Sequence, residues 1–214
     1  MSEKHGMMQN KKDDNKMKVI GVTGGVGSGK TTLLQEIQKK YSCKILLADV
    51  IANELKQKGQ VCYNPLVKLL GNVVLDENAE IDKLKMAGLI FANEKLLEQV
   101  NEIVHPAVKE YILSEIDSVE NQNQYEFLFV EAALLIEAGY KDYLETLWYI
   151  HARYDIRVAR LQQGRGYSSQ KIQSIVSKQL SEELYQNNSD IVIDNSGELS
   201  LTMMQIDGII KQMR

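Results

Sequence analysis

Cysteine and proline are scarce in this 214-residue sequence, and long apolar runs are missing. The two cysteines, Cys43 and Cys62, are too few for a disulfide framework, which favours a reducing compartment and predicts a cytoplasmic protein. No apolar run approaches the ~18 residues of a membrane span, so no membrane partner is predicted. The net charge of −4 gives no reason to expect a nucleic-acid partner.

The first 16 residues are polar, rich in Lys, Asn and Asp, and lack the apolar region of a signal peptide. This composition predicts a disordered tail over residues 1–16, with Met17 as a candidate alternative initiator. The length of the chain predicts one domain, or one domain with an insertion.

Glycine is concentrated in one stretch, residues 24–31, which reads G-G-V-G-S-G-K-T. It follows the apolar run 18–23 and leads into Leu33, Leu34 and Ile37, so a strand, a turn and a helix start lie together. This is the context of a phosphate-binding loop, and it argues against a glycine-rich turn formed by chance. Glycines let backbone N–H groups surround an anion, and the helix start adds a partial positive charge.

The loop predicts a nucleotide with β- and γ-phosphates as its ligand and Mg²⁺ as its metal ion. Lys30 is expected to reach the β- and γ-phosphates, and the Thr31 hydroxyl to bind Mg²⁺. The residues predicted to cradle the phosphates, and to bind ATP if ATP is the nucleotide, are Gly25, Val26, Gly27, Ser28, Gly29, Lys30, Thr31 and Thr32. A phosphate loop alone leaves kinases, GTPases, motor ATPases and transporters open.

Four further apolar runs, none containing proline, predict the remaining strands of a parallel sheet. They are residues 44–48, 125–130, 147–150 and 191–193. The predicted fold is a P-loop α/β protein with three α/β/α layers and a five-stranded parallel sheet. Its nucleotide-binding core is assigned to residues 17–55 and 120–214.

Residues 56–119 show helical periodicity and predict a helical insertion that binds a second substrate. Pro106 separates two apolar stripes, which predicts that a new helix begins near it. His105, just before Pro106, has either a structural role or a role in binding the substrate.

Two acids follow predicted strands at the edge where a doubly wound sheet binds ligands. Asp49 follows the second strand, where it either faces the γ-phosphate or caps the next helix. Glu131 ends the third strand in the manner of a second metal-site element, although such elements usually carry Asp.

The most basic stretch predicts a lid over about residues 153–175. The spacing of Arg153, Arg157 and Arg160 predicts one shared helix face, and Gly164 and Gly166 flank Arg165. Guanidinium groups here could stabilise charge on a transferred phosphoryl group; the alternative is a solvated helix face.

With these residues in place, the chain resembles the dephospho-coenzyme A kinase family from about residue 18 onwards. The resemblance rests on the stretches 23–32, 48–52, 70–71, 90–92, 105–106, 134–137, 160–161 and 190–197. It implies transfer of the γ-phosphoryl group of ATP to the ribose 3′-hydroxyl of dephospho-coenzyme A, the last step of coenzyme A synthesis. The alternatives are another small-molecule or nucleotide kinase of this fold, or a degenerate protein that binds ATP or coenzyme A.

The resemblance also implies roles for individual residues. Asp49 would be the base that orients or deprotonates the hydroxyl, with Lys30 and Arg160 as the other catalytic residues. Arg165 and Asn195 would join the loop in binding ATP, and Lys83 and His105 would join Asp49 in binding the substrate. A monomer or small homo-oligomer is expected.

The chain departs from the family pattern at several positions. The family commonly has Asp where Leu47 stands, Arg at Asn53 and Lys83, Pro at Ala133 and Asp at Gly166. Loss of guanidinium groups at Asn53 and Lys83 predicts weaker binding of anions on the substrate side.

Overall fold

The computed structural model describes residues 16–91, 93–137 and 139–214. Apart from Lys16, the predicted N-terminal tail lies outside these residues. The strands in the described part are β1 (Lys18–Thr23), β2 (Cys43–Leu47), β3 (Phe127–Glu131), β4 (Thr146–His151) and β5 (Ile191–Asp194). They form one parallel sheet in the order β2-β3-β1-β4-β5, which confirms the predicted sheet.

Helices connect and cover these strands. They are α1 (Lys30–Lys40), α2 (Ala48–Glu54), α3 (Tyr63–Leu70), α4 (Lys83–Phe91), α5 (Glu94–Gln122), α6 (Tyr154–Arg165), α7 (Ser169–Val176), α8 (Glu182–Asn188) and α9 (Leu199–Met213). Helices α2 to α5 all lie between β2 and β3, so this stretch is helical, and its assignment as a substrate-binding insertion stays a prediction. Within the described residues, none of the helices combines the length and apolar character needed to cross a membrane.

The sheet is buried on both faces, which explains why its strands are continuous apolar runs. Successive side chains of a strand point to opposite faces of the sheet, and the side chains of β3 alternate between the two faces in this way. Phe127 and Phe129 pack with Trp148 on the side covered by α1 and α9. Leu128 and Val130 pack on the side covered by α2, α3 and α5.

The predicted helix start at Pro106 is wrong, because α5 runs unbroken from Glu94 to Gln122. Pro106 lies inside it and costs about 3 kcal/mol through a lost hydrogen bond and a steric clash. The buried stripe of Val100, Val104, Val108 and Ile112 passes this point without interruption. Burial of each such side chain contributes about 1.5–3 kcal/mol, so continuing the stripe outweighs one proline.

The strand boundaries differ from prediction by one or two residues. The second strand ends at Leu47 and α2 begins at Ala48, so Asp49 lies in the first turn of a helix. The third strand begins at Phe127 rather than Tyr125, and Glu131 is its last residue. In the sheet register Glu131 lies opposite Val22, two residues before the glycine loop.

Candidate active site

The loop between β1 and α1 requires glycine where it packs most closely. Gly24 has a φ of +147°, and a Cβ atom there would lie 2.5 Å from the carbonyl oxygen of Ile150. Gly29 has a φ of +92°, and a Cβ atom there would lie 2.4 Å from Nδ2 of Asn195. Larger residues at either position would strain the backbone and push the loop away from its neighbours.

The loop and the start of α1 suit an anion. Gly29 is the N-cap of α1 and supplies no side-chain acceptor, so the first N–H groups of the helix are available to a ligand. The hydroxyl groups of Thr23 and Ser28 are buried without a hydrogen-bond partner among the described residues. The loop opens into a cavity of about 670 Å³, which Thr31 and Thr32 also line.

Lys30 is held between the loop and the end of β3. Its Nζ donates a 2.8 Å hydrogen bond to the Gly24 carbonyl and lies 3.7 Å from Oε1 of Glu131. Burial lowers the pKa of Lys30, and the carboxylates of Glu131 and Asp49 oppose this effect. Burial raises the pKa of Glu131, and the Lys30 ammonium opposes that shift. The pair therefore places a cation where the phosphates of a nucleotide would lie.

Asp49 lies at the border between two cavities. It lines the 670 Å³ cavity of the loop and also a more apolar cavity of about 300 Å³. Among the described residues, no side chain caps the N-terminus of α2 by a hydrogen bond, so the structure does not support the interpretation of Asp49 as a cap. The side chain is exposed and free to meet a ligand that spans both cavities.

The predicted substrate-side residues lie in two neighbouring cavities. His105 is exposed and lines the 300 Å³ cavity together with Asp49, Met86, Leu134 and Tyr140. Lys83, the first residue of α4, lines a separate cavity of about 420 Å³ with Asn53 and Lys56. The structure thus brings His105 and Asp49 together and puts Lys83 farther out.

Arg160 and Asn195 hold the loop in place through hydrogen bonds to its Ser28 carbonyl. The guanidinium of Arg160 donates to the carbonyl oxygens of Ser28, at 3.2 Å, and Asn195, at 2.9 Å. The buried amide of Asn195 donates to the same Ser28 carbonyl at 2.7 Å and accepts from the Thr202 hydroxyl at 3.0 Å. Both residues line the loop cavity, so each is placed to support the loop and to face a nucleotide.

A second pair of side chains holds Val26, in the middle of the loop. Nε of Arg157 donates to the Val26 carbonyl at 2.8 Å. Gln179 accepts at Oε1 from the Val26 N–H, at 3.2 Å, and from Arg157, at 2.9 Å. Both polar groups of the Val26 backbone are therefore bound by residues that follow β4.

The three arginines predicted on one face of the lid helix do not act together. Arg153 is the N-cap of α6, and its guanidinium pairs with Asp155 at the surface, so that prediction is wrong for Arg153. Arg157 and Arg160 do face the loop. Arg165 ends α6, is exposed and lines the cavity, with its guanidinium 5.9 Å from the ring centroid of Tyr167.

Two residues that the structure places at the site, Gln179 and Lys56, were not identified from the sequence. Arg157 had a sequence signal in its spacing from Arg160, and Glu131 had one in its position at a strand end, although neither was assigned to the ATP or substrate site. Gln179 had none, because a single glutamine on a helical stretch has no distinguishing pattern. Lys56 likewise has no distinguishing sequence pattern and is identified only because it lines two cavities.

Comparison with known proteins gives the family. A family model described as Dephospho-CoA kinase matches residues 18–200. The chain belongs to the dephospho-CoA kinase family. It is 33% identical to a dephospho-CoA kinase from Aquifex aeolicus, over 92% of this chain and 98% of that protein. It is 31% identical to a dephospho-CoA kinase from Bacillus cereus, over 91% of this chain and 96% of that protein.

Solved structures agree on the fold of this dephospho-CoA kinase family member. The protein TT1252 from Thermus thermophilus superposes with a TM-score of 0.77 at 24% identity, over 93% of this chain and 99% of that one. Membership makes the protein a kinase and implies the use of ATP. It supports the interpretation as a kinase of coenzyme A synthesis rather than another nucleotide kinase or a degenerate binding protein.

Proposed function

We propose that this protein transfers the γ-phosphoryl group of ATP to the ribose 3′-hydroxyl of dephospho-coenzyme A, giving coenzyme A and ADP. The observation that carries the proposal is the position of Asp49, which lines both the loop cavity and the apolar cavity beside it. A hydroxyl held at this border would face the γ-phosphate on one side and keep the rest of its molecule on the other.

The donor side consists of the loop and the basic residues around it. ATP phosphates bind to the N–H groups of residues 25–32, and Lys30 moves from the Gly24 carbonyl to the β- and γ-phosphates. Arg160 and Arg165 neutralise charge that develops on the transferred group. Asn195 keeps the loop in place through its hydrogen bond to Ser28.

The oxygen donors around the loop fit Mg²⁺, which prefers hard oxygen ligands. The Thr31 hydroxyl would hold the ion together with the phosphates, with the carboxylates of Asp49 and Glu131 lining the same cavity. When bound, the ion neutralises part of the charge of the triphosphate.

On the acceptor side, the rate enhancement depends more on the position of the attacking hydroxyl than on covalent chemistry. Phosphoryl transfer passes through a loose transition state, so alignment of the nucleophile and neutralisation of charge dominate the rate enhancement. Asp49 accepts a hydrogen bond from the 3′-hydroxyl and takes its proton as the new bond forms. His105 contacts the acceptor at the rim of the apolar cavity, and Lys83 contacts it farther out.

The test is ADP release with a panel of acceptors: dephospho-coenzyme A, adenosine and nucleoside monophosphates. The proposal predicts turnover that requires dephospho-coenzyme A and is lost in Lys30→Ala. Lys39→Ala on the same helix is the control, because Lys39 is exposed and pairs only with Glu36 among the described residues. Faster turnover with another acceptor, or full activity in Lys30→Ala, would overturn it.

The cellular location, oligomeric state and partners of the protein are also proposals. A cytoplasmic location is supported by two cysteines that are free, buried thiols. A monomer or small homo-oligomer, without a nucleic-acid or membrane partner, stays the prediction from the sequence.

A further inference from the structure

Three neighbouring cavities share lining residues in sequence from the loop outwards. Asp49 and Ala133 line both the 670 Å³ cavity of the loop and the 300 Å³ apolar cavity. Lys56 and Met86 line both the 300 Å³ cavity and the outer 420 Å³ cavity. A molecule with its hydroxyl at Asp49 would therefore meet Lys56 where it leaves the apolar cavity.

Lys56 is a half-buried cation without a fixed anionic partner. It lies just after the end of α2, and in the described part of the chain its ammonium forms no ion pair or hydrogen bond. Burial lowers the pKa of Lys56, and the nearby ammonium of Lys83 lowers it further. Two like charges beside a cavity repel each other, and an anion between them would remove that cost.

One nearby carboxylate offsets only part of this positive charge. Glu80 lines the outer cavity, and its Oε2 accepts a 2.9 Å hydrogen bond from the Lys58 backbone. Asp49 raises the pKa of Lys56 only as the weakest of the contributing groups. With two lysines and one glutamate as its charged lining residues, the outer cavity has a net positive lining.

We propose that Lys56, with Lys83, binds the diphosphate of the acceptor. This inference rests on the proposed function and names the part of the substrate that the outer cavity recognises. Dephospho-coenzyme A carries its diphosphate on the 5′-carbon of the ribose whose 3′-hydroxyl would lie at Asp49. Lys56 and Lys83 both line the outer cavity, and Lys56 also lines the apolar cavity beside Asp49.

The experiment measures the affinity for dephospho-coenzyme A in Lys56→Met, Lys56→Arg and Lys83→Met. Binding is followed by calorimetry without ATP, and KM and kcat come from ADP release. Lys58→Met is the matched control, because Lys58 is exposed two residues away and does not line either cavity. Adenosine, which lacks phosphates, serves as a competitive inhibitor against the same acceptor.

In Lys56→Met we expect the Kd and KM for dephospho-coenzyme A to rise about tenfold or more, the usual effect of losing a hydrogen bond between charged groups. The kcat, the KM for ATP and the inhibition constant of adenosine should stay within about twofold of wild type. Lys56→Arg should recover most of the affinity. Lys83 is exposed, so Lys83→Met tests the same pair with little risk to folding.

An unchanged affinity in both methionine variants would overturn the inference, and so would an equal loss for adenosine, which would indicate a packing role. Failure of the proposed function gives a different result. Wild-type protein would then release no ADP with dephospho-coenzyme A, while calorimetry would still report whether Lys56 contributes to binding.

Discussion

Nε of Arg157 lies 2.8 Å from the carbonyl oxygen of Val26, and this contact joins helix α6 to the middle of the phosphate loop. The same guanidinium donates to Gln179, which accepts from the Val26 N–H. The loop is therefore positioned by residues more than 130 positions away in the chain.

Replacement of Arg157 by Met should raise the KM for ATP about tenfold, because the loop loses a hydrogen bond from a charged donor. Arg157→Lys should bring the KM for ATP only part of the way back to wild type, since one ammonium cannot reproduce the forked geometry that reaches both acceptors. Steady-state kinetics with varied ATP provide the measurement.

The control is Arg153→Met, since Arg153 pairs with Asp155 at the surface of the same helix. If Arg157→Met and Arg153→Met showed the same KM for ATP, Arg157 would have no role in positioning the loop.

Asp49→Asn should lower kcat by about 10²–10⁴-fold, the usual contribution of a general base. The KM for ATP should change little, because Asp49 lies at the acceptor side of the loop cavity. Asp117→Asn, an exposed position on α5, is the control and should match wild type. Full activity in Asp49→Asn would exclude Asp49 as the base.

Glu131→Gln should change the pH dependence of activity. Burial lowers the pKa of Lys30, and the Glu131 carboxylate opposes this, so its removal should lower that pKa further. A lysine loses its charge as pH rises through its pKa, so the alkaline fall of kcat/KM for ATP should move to lower pH.

A pH profile of kcat/KM for wild type, Glu131→Gln and the surface control Glu36→Gln provides this test. An alkaline limb that stayed in place, or moved to higher pH, would show that Lys30 does not carry the titration or that Glu131 does not tune it.

Much of this site could be predicted from the sequence. The loop, Lys30, Thr31 and Asp49 sit in or beside short local patterns in which a strand, a turn and a helix follow one another. Arg157 and Gln179 could not be assigned because their partner, Val26, is remote in the sequence. Pro106 was misjudged because a local preference against proline in helices was outweighed by a buried stripe on both sides of it.

Asn195→Ala should destabilise the protein. The amide is 4% exposed and bonds both Ser28 and Thr202, so its loss leaves buried polar groups with fewer partners. The expected cost is about 1–3 kcal/mol. For a chain of this size that lowers Tm by roughly 2–4 °C for each kcal/mol.

Thermal unfolding followed by circular dichroism measures the effect, with the exposed Asn187→Ala as control. Equal Tm values for the two variants would show that the hydrogen bonds of Asn195 add nothing to stability.

The central claim is the position at which the phosphoryl group is added. Incubation with ATP, Mg²⁺ and dephospho-coenzyme A, followed by ³¹P NMR of the purified product, measures it directly. The account predicts one new phosphomonoester on the ribose 3′-oxygen, an unchanged diphosphate and one ADP for each product molecule. A phosphate at any other position, or ADP release without a phosphorylated acceptor, would contradict it.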